Sequence, residues 1–283
     1  MPGQMTSRLY GAAGLARALA RGEMLSRRGR CRFVTAAPSP QSAIDSVPVS
    51  WASAVPVEGT QTGTVELFDD ERVRWAIDAL GGVEGASCVE LGPLEGGHSY
   101  MLERGGAAHV TAVEANSDAF LKCLVVKELL GMSRCSFLCG DVSEFLGTTE
   151  TNFDVCWCAG ILYHMVQPVE LLALVTERAR GLYIWTHYFD PEKLSPDEDK
   201  GHAFRERVAV PAEHEGFRYT LYRHDYGAAT RFGRFWGGNQ PFSHWLTLDD
   251  LLGALAHLGW TGVQTRLEED NPHGPAVNVI ATR

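Results

Sequence analysis

The sequence predicts an α/β fold: a mostly parallel, seven-stranded sheet with helices on both faces, interrupted by an aromatic-rich insertion and preceded by a flexible N-terminal segment. Three observations predict it. Between residues 87 and 187, short apolar runs alternate with segments of helical period, the pattern of strand–helix units in a parallel sheet. A glycine-rich turn closes the first of those runs, where such sheets bring backbone close to a ligand. After a long polar and aromatic break, one more helix and two more apolar runs complete the set.

The elements follow in order. Residues 1–63 read as a flexible segment and linker, and residues 64–283 as the folded domain. Arg8 to Arg32 is arginine-rich and almost free of acids. That composition suits an organelle transit peptide, a plain flexible tail or a mis-assigned start codon, the last two being the simpler readings. Ala36–Gly63 is rich in Pro, Ser, Thr and Gly, as linkers are. Asp69–Leu80 places Val73, Ala76, Ile77 and Leu80 at helical spacing. Ser87–Leu91 is a strand, Gly97–Gly105 a helix and His109–Glu114 a second strand. Ser117–Leu130 is a long helix with Ser117 as its expected N-cap. Ser136–Cys139 and Phe153–Cys158 are strands, Pro168–Arg180 a helix with proline at its start, and Leu182–Thr186 a fifth strand. From His187 to Trp245 the alternation breaks, which marks an insertion at about 188–245. Thr247 to Asp250 resembles a capping box and opens a helix to about Leu258. Trp260–Thr265 and Ala276–Ala281 are the last two strands.

Composition narrows the function. Of 283 residues, 45% are hydrophobic and 21% charged, ordinary for a globular protein. The formal net charge is −10. Seven arginines against three acids leave residues 1–64 at +4, so residues 65–283 carry −14. An acidic body does not draw a phosphate backbone over its surface, which disfavours nucleic acid as a partner while leaving a local basic groove open. Seven scattered cysteines suit reduced thiols and a cytoplasmic setting. They lack paired C-x-x-C spacing, so no metal is expected. No apolar run is long enough to span a bilayer, and no membrane partner is expected. Nothing in the sequence sets the oligomeric state.

Four motifs carry the chemistry. Glu90-Leu91-Gly92-Pro93-Leu94-Glu95-Gly96-Gly97 lies between strand and helix. It is not the dinucleotide fingerprint G-x-G-x-x-G, because Leu94 stands where the second glycine is needed. A cofactor without a phosphate at this position tolerates the looser E-x-G-x-x-x-G pattern. Glu114 ends the next strand, followed by Ala115 and Asn116, and its carboxylate suits a ribose diol. Gly140-Asp141-Val142 follows the third strand, where an acid can accept from an exocyclic amine. Phe153-Asp154-Val155 opens the fourth, which runs on to Cys158-Ala159-Gly160-Ile161-Leu162-Tyr163-His164.

In order and spacing these motifs resemble the class I S-adenosylmethionine-dependent methyltransferases, over about residues 70–187 plus the last helix and two strands. The resemblance implies a Rossmann-like fold and S-adenosyl-L-methionine as cofactor. It implies that Glu90 and Gly92 lie beside the methionine part, Glu114 on the ribose, Asp141 on the adenine amine and Ala159 near the sulfur. Pro93, Gly96, Ala115, Asn116 and Val142 flank those positions.

On the acceptor side, His164 and His187 follow predicted strands and are candidate general bases, with Tyr163 beside them. The Leu162-Tyr163-His164 stretch is similar to many small-molecule methyltransferases and also to the tRNA wobble-uridine carboxymethyltransferases. Residues 188–245 read as a lid or acceptor pocket, with Tyr226, Trp236 and Arg234 as leading positions, or else as a local core under a long insertion; Arg218, Arg223 and Arg231 are further anchors for an acidic ligand or solvated surface. The expectation is in-line methyl transfer to a small, partly aromatic or acidic metabolite. A tRNA-modifying enzyme and a catalytically silent cofactor-binding protein are the alternatives.

Overall fold

The computed structural model describes residues 34–194, 203–204, 208–227, 238 and 240–283. The arginine-rich stretch to Arg32, together with Arg231, Arg234 and Trp236, lies outside them. The alternating segment forms strands β1 Ser87–Leu91, β2 His109–Glu114, β3 Cys135–Cys139, β4 Phe153–Ala159 and β5 Ala179–His187. β9 Thr261–Glu268 and β10 Ala276–Thr282 complete one seven-stranded sheet of order β3-β2-β1-β4-β5-β10-β9. β10 runs antiparallel to both neighbours, and the pairs among β1 to β5 are parallel.

Strand residues alternate between two cores, as their period of two dictates. Along β4, Cys156 and Cys158 face one core, while Val155 and Trp157 face the other. The first core lies under α5 Val142–Thr148, α6 Pro168–Arg178 and α7 Leu248–His257. The second lies under α2 Glu71–Ala79, α3 Gly97–Arg104 and α4 Ser117–Leu130. Within it, the Trp157 and Tyr183 rings meet at 4.4 Å, and the Tyr183 hydroxyl donates to Asn278 Oδ1 at 2.8 Å. The Tyr183 hydroxyl is thereby satisfied, whereas the buried Trp157 Nε1 has no hydrogen-bond partner among the described residues.

Caps explain the helix starts. Asp70 accepts from Arg72 N at 2.9 Å, so α2 begins at Glu71 and not at Asp69. The N-cap of α4 is Asn116, whose Oδ1 accepts from Asp118 N and Ala119 N at 2.9 Å each, and the expected cap Ser117 is the first helical residue. Thr247 caps α7 as expected, accepting from Asp250 N at 3.0 Å.

Two larger departures from expectation concern whole segments. Residues 34–63 are not a loose linker. α1 Pro40–Asp45 is capped by Ser39 and buries Ile44, and Val47, Ser53 and Val55 are buried beyond it. Ser53 bridges Val65, and Gly63 packs so closely on Ala52 that a Cβ would fall 2.0 Å from its carbonyl oxygen. In addition, the insertion contains regular structure: an antiparallel sheet of β6 Ala209–His214, β7 Phe217–Asp225 and β8 Phe242–Trp245. Its hairpin turns at Glu215-Gly216, both with positive φ, the geometry a two-residue loop requires. Tyr219 and Leu221 of β7 join the core beside α7.

Candidate functional site

Strand order reverses between β1 and β4, so the loops leaving their carboxyl ends diverge and open a crevice. The turn after β1 forms one wall. Gly92, Leu94 and Gly96 have φ of 70°, 56° and 79°, and the Gly96 amide closes the turn on Pro93 O at 2.8 Å. Alternating positive φ turns backbone amides to one side, which suits an anionic or strongly polar ligand group. A Cβ on Gly92 would sit 3.5 Å from Ile161 Cδ1, an ordinary contact, so the positive φ is what calls for glycine there.

Glu114 ties this turn to the next loop. Its Oε2 accepts from Leu94 N at 3.0 Å and its Oε1 from Asn116 N at 2.8 Å. Burial pushes its carboxyl upward in pKa, against the pull of the amides of Asn116, Leu94 and Ala115. Each oxygen keeps a further acceptor site, enough for a diol. Glu90 is buried beneath, raised by burial, with Ser99 Oγ donating to its carboxylate. Pro93 and Val142 are buried, Ala115 is exposed, and Ala159 ends β4 half-buried. The exposed Asp141 has Oδ1 engaged by Ser143 N and Glu144 N as the N-cap of α5, a short helix not anticipated from sequence.

The opposite wall brings the three acceptor-side candidates together. A 3₁₀ turn, Leu162–His164, sets the Tyr163 ring 4.1 Å from that of His164 and 4.8 Å from that of His187, which ends β5. His164 Nδ1 meets the Tyr226 hydroxyl at 2.6 Å. His187 Nδ1 faces two acceptors, Gly274 O at 3.1 Å and Pro275 O at 3.3 Å. Carbonyls only accept, so Nδ1 carries the hydrogen and Nε2 is left with the lone pair of a base. Burial lowers the pKa of His187, takes His164 down to about 3 and His224 to about 4, and lifts Tyr163 to about 12. All four are neutral at physiological pH. Trp245 lies between His187 and His224, stacked at 5.1 and 5.0 Å.

Sequence reading missed several contributors. Arg72 lies 4.4 Å over the Trp185 ring at the end of β5, held by Asp70, which also contacts His98 Nε2 at 3.2 Å. Its only sequence signal was a capping aspartate two residues before it. Trp245 and His224 were hidden in the insertion. Two of the expected anchors for an acidic ligand have partners of their own: the exposed Arg218 pairs with Glu213 at 3.1 Å and Arg223 with Asp225 at 2.8 Å, each within its own hairpin or strand. Among the described residues no helix is long and apolar enough to cross a membrane.

No protein-family model and no curated protein matches this chain. Solved structures do. The N-terminal domain of EvdMO1, crystallised in the presence of SAH and D-fucose, matches with a TM-score of 0.62 at 22% identity, over 86% of this chain and 94% of that one. An S-adenosylmethionine-dependent methyltransferase from Mesorhizobium loti matches with a TM-score of 0.51 at 16% identity, over 76% of this chain and 100% of that one. The 1,6-didemethyltoxoflavin-N1-methyltransferase of Burkholderia thailandensis, with 1,6-didemethyltoxoflavin and S-adenosylhomocysteine bound, gives 0.51 at 16% identity, over 77% and 78% of the two chains. These likenesses, with the strand order, show that the chain has the Rossmann-like fold of the class I methyltransferases.

Proposed function

We propose that the protein transfers a methyl group from S-adenosylmethionine to a small-molecule acceptor. The observation that carries the reading is the turn Gly92–Gly96, locked to Glu114 at the reversal of strand order; His187, at the end of β5, turns its Nδ1 to two carbonyls and so keeps the Nε2 lone pair. The turn's amides suit the methionine end of the cofactor, Glu114 its ribose diol, and Arg72 with His98 the cofactor carboxylate. The cofactor supplies an activated methyl group on sulfur, and the protein supplies alignment and a proton acceptor. With cofactor and acceptor bound, His187 Nε2 would take the proton of the acceptor's hydroxyl or amine, while the methyl–sulfur bond breaks as the methyl–oxygen or methyl–nitrogen bond forms and S-adenosylhomocysteine leaves. Tyr163 and Trp185 exclude water from that side. The structural neighbours crystallised with 1,6-didemethyltoxoflavin bound or in the presence of D-fucose support a small acceptor over a polymer.

Calorimetry tests the reading. S-adenosylhomocysteine is expected to bind, and NAD to give no heat. Binding of NAD without S-adenosylhomocysteine overturns it. Retention on folded tRNA with steep salt dependence would replace the small acceptor by RNA.

A further inference from the structure

Glu95 stands inside the glycine-rich turn, between Leu94 and Gly96, yet its side chain is fully buried and points away from Glu114's attachment. It reaches a segment more than forty residues earlier in the chain. Its Oε1 accepts from Ala52 N at 2.9 Å, and its Oε2 from Ser53 N at 2.7 Å. Lys122 of α4 donates to the same Oε1 at 2.7 Å and to Ser50 O at 2.5 Å. The Trp51 ring covers the ammonium at 5.4 Å, and Lys122 is only 6% exposed. The turn is thus gripped from both sides: Glu114 holds the Leu94 amide from the sheet, and residues 50–53 hold the Glu95 carboxylate from behind.

We propose that Glu95 and Lys122 are positioning residues for the cofactor, and that residues 50–53 form a strap coupled to cofactor binding. The inference rests on the cofactor reading above. A glycine-rich turn is soft by itself, because its residues are free to leave positive φ. A buried carboxylate that satisfies two strap amides and an ammonium has no comparable alternative arrangement, since moving it strands charges out of water. The φ values of the turn and the seating of the strap therefore change together. Coupling of this kind is reciprocal: if the seated strap favours cofactor binding by some factor, the cofactor favours the seated strap by the same factor.

The test uses the full chain with S-adenosylhomocysteine as probe. In the parent, the ligand is expected to slow hydrogen exchange at Ala52 and Ser53 at least tenfold while leaving β5 and α6 unchanged. Glu95→Gln, which can no longer accept at both oxygens, is expected to weaken binding at least tenfold. Lys122→Met should do the same and Lys122→Arg should restore most of the affinity, whereas a purely structural role would lower thermal stability without any ligand-dependent exchange at the strap. Glu95→Gln binding like the parent, or unchanged strap exchange in the liganded parent, overturns the proposal. If Glu95→Gln does not fold, the exchange experiment on the parent decides. A parent that binds no S-adenosylhomocysteine overturns the cofactor reading itself, an outcome distinct from a parent that binds while its strap stays indifferent.

Discussion

His187 keeps its Nε2 lone pair because two carbonyls face its other nitrogen and because burial disfavours the imidazolium. The neighbouring histidines carry a cost at low pH. His164 is held down at about 3 against an ordinary 6.5. The unfolded chain therefore binds a proton below pH 6.5 that the folded chain refuses until about 3. Stability is unaffected above 6.5 and falls between those values. At pH 5.5 this group alone costs up to about 1.4 kcal/mol. His224, stacked on Trp245 beside Asp225, adds to the same trend with a weaker shift. Urea unfolding at pH 7.5 and 5.5 checks this: His164→Gln is expected to shrink the difference between the two pH values by about that amount. At Glu114, Ala removes the acceptor for the Leu94 and Asn116 amides as well as for the diol. S-adenosylhomocysteine affinity is expected to fall by about 1.5–3 kcal/mol for loss of bonds to a charged acceptor, measured by calorimetry on a variant shown folded by circular dichroism.

At the scale of elements, close backbone contacts decide how the turn and its supports meet. Gly97 opens α3 against the chain just before α2. A Cβ there would fall 2.6 Å from Leu67 O and 2.7 Å from its carbonyl carbon, and backbone cannot swing aside as a side-chain tip can. Gly97→Ala is therefore expected to lower stability by about 1–3 kcal/mol and to weaken S-adenosylhomocysteine binding, read by thermal melts with and without the ligand. The N-terminal segment behaves as an element too. Composition alone predicts that removing residues 1–60 leaves cofactor binding intact. The structure argues for the opposite outcome, because Ile44, Val47 and Val55 are buried and the strap amides bind Glu95. Each such side chain contributes about 1.5–3 kcal/mol when fully buried. A chain beginning at residue 66 is expected to aggregate or to melt many degrees below the parent.

At the scale of the molecule, the sheet separates the two halves of the chemistry. The cofactor turn leaves β1, and the acceptor-side cluster gathers at the ends of β4 and β5 with Tyr226 and Trp245 from the insertion. Changes on one side are expected to leave the other largely intact. Tyr226→Phe, which removes the hydroxyl bonded to His164, is expected to slow methyl transfer while S-adenosylhomocysteine affinity stays within about 1 kcal/mol. Isotope transfer from labelled donor, together with calorimetry, separates the two effects.

The sequence by itself determined the large architecture. β1, β2 and α4 fall on the very residues that apolar runs and helical spacing pick out, because strands buried on both faces leave little choice but Val, Cys, Leu and Ala. It also brought Glu90, Gly92, Glu114, Tyr163, His164 and His187 into view, since turns and strand ends in this kind of sheet converge on one crevice. α5 escaped notice because it is seven residues long with only Val142 and Leu146 buried. The insertion's sheet escaped because its alternation, Phe217, Tyr219, Leu221, is short and gives way to the half-buried polar run Arg223, His224 and Asp225. Only the tertiary structure decided which nitrogen of His187 is free, that Asp141 caps a helix, and that Arg218 and Arg223 are already paired. It alone showed that a Pro- and Ser-rich segment belongs to the fold. Those outcomes depend on hydrogen bonds and ion pairs between groups distant in the chain, such as Glu95 with the amides of Ala52 and Ser53, and local periodicity carries no trace of a partner forty residues away.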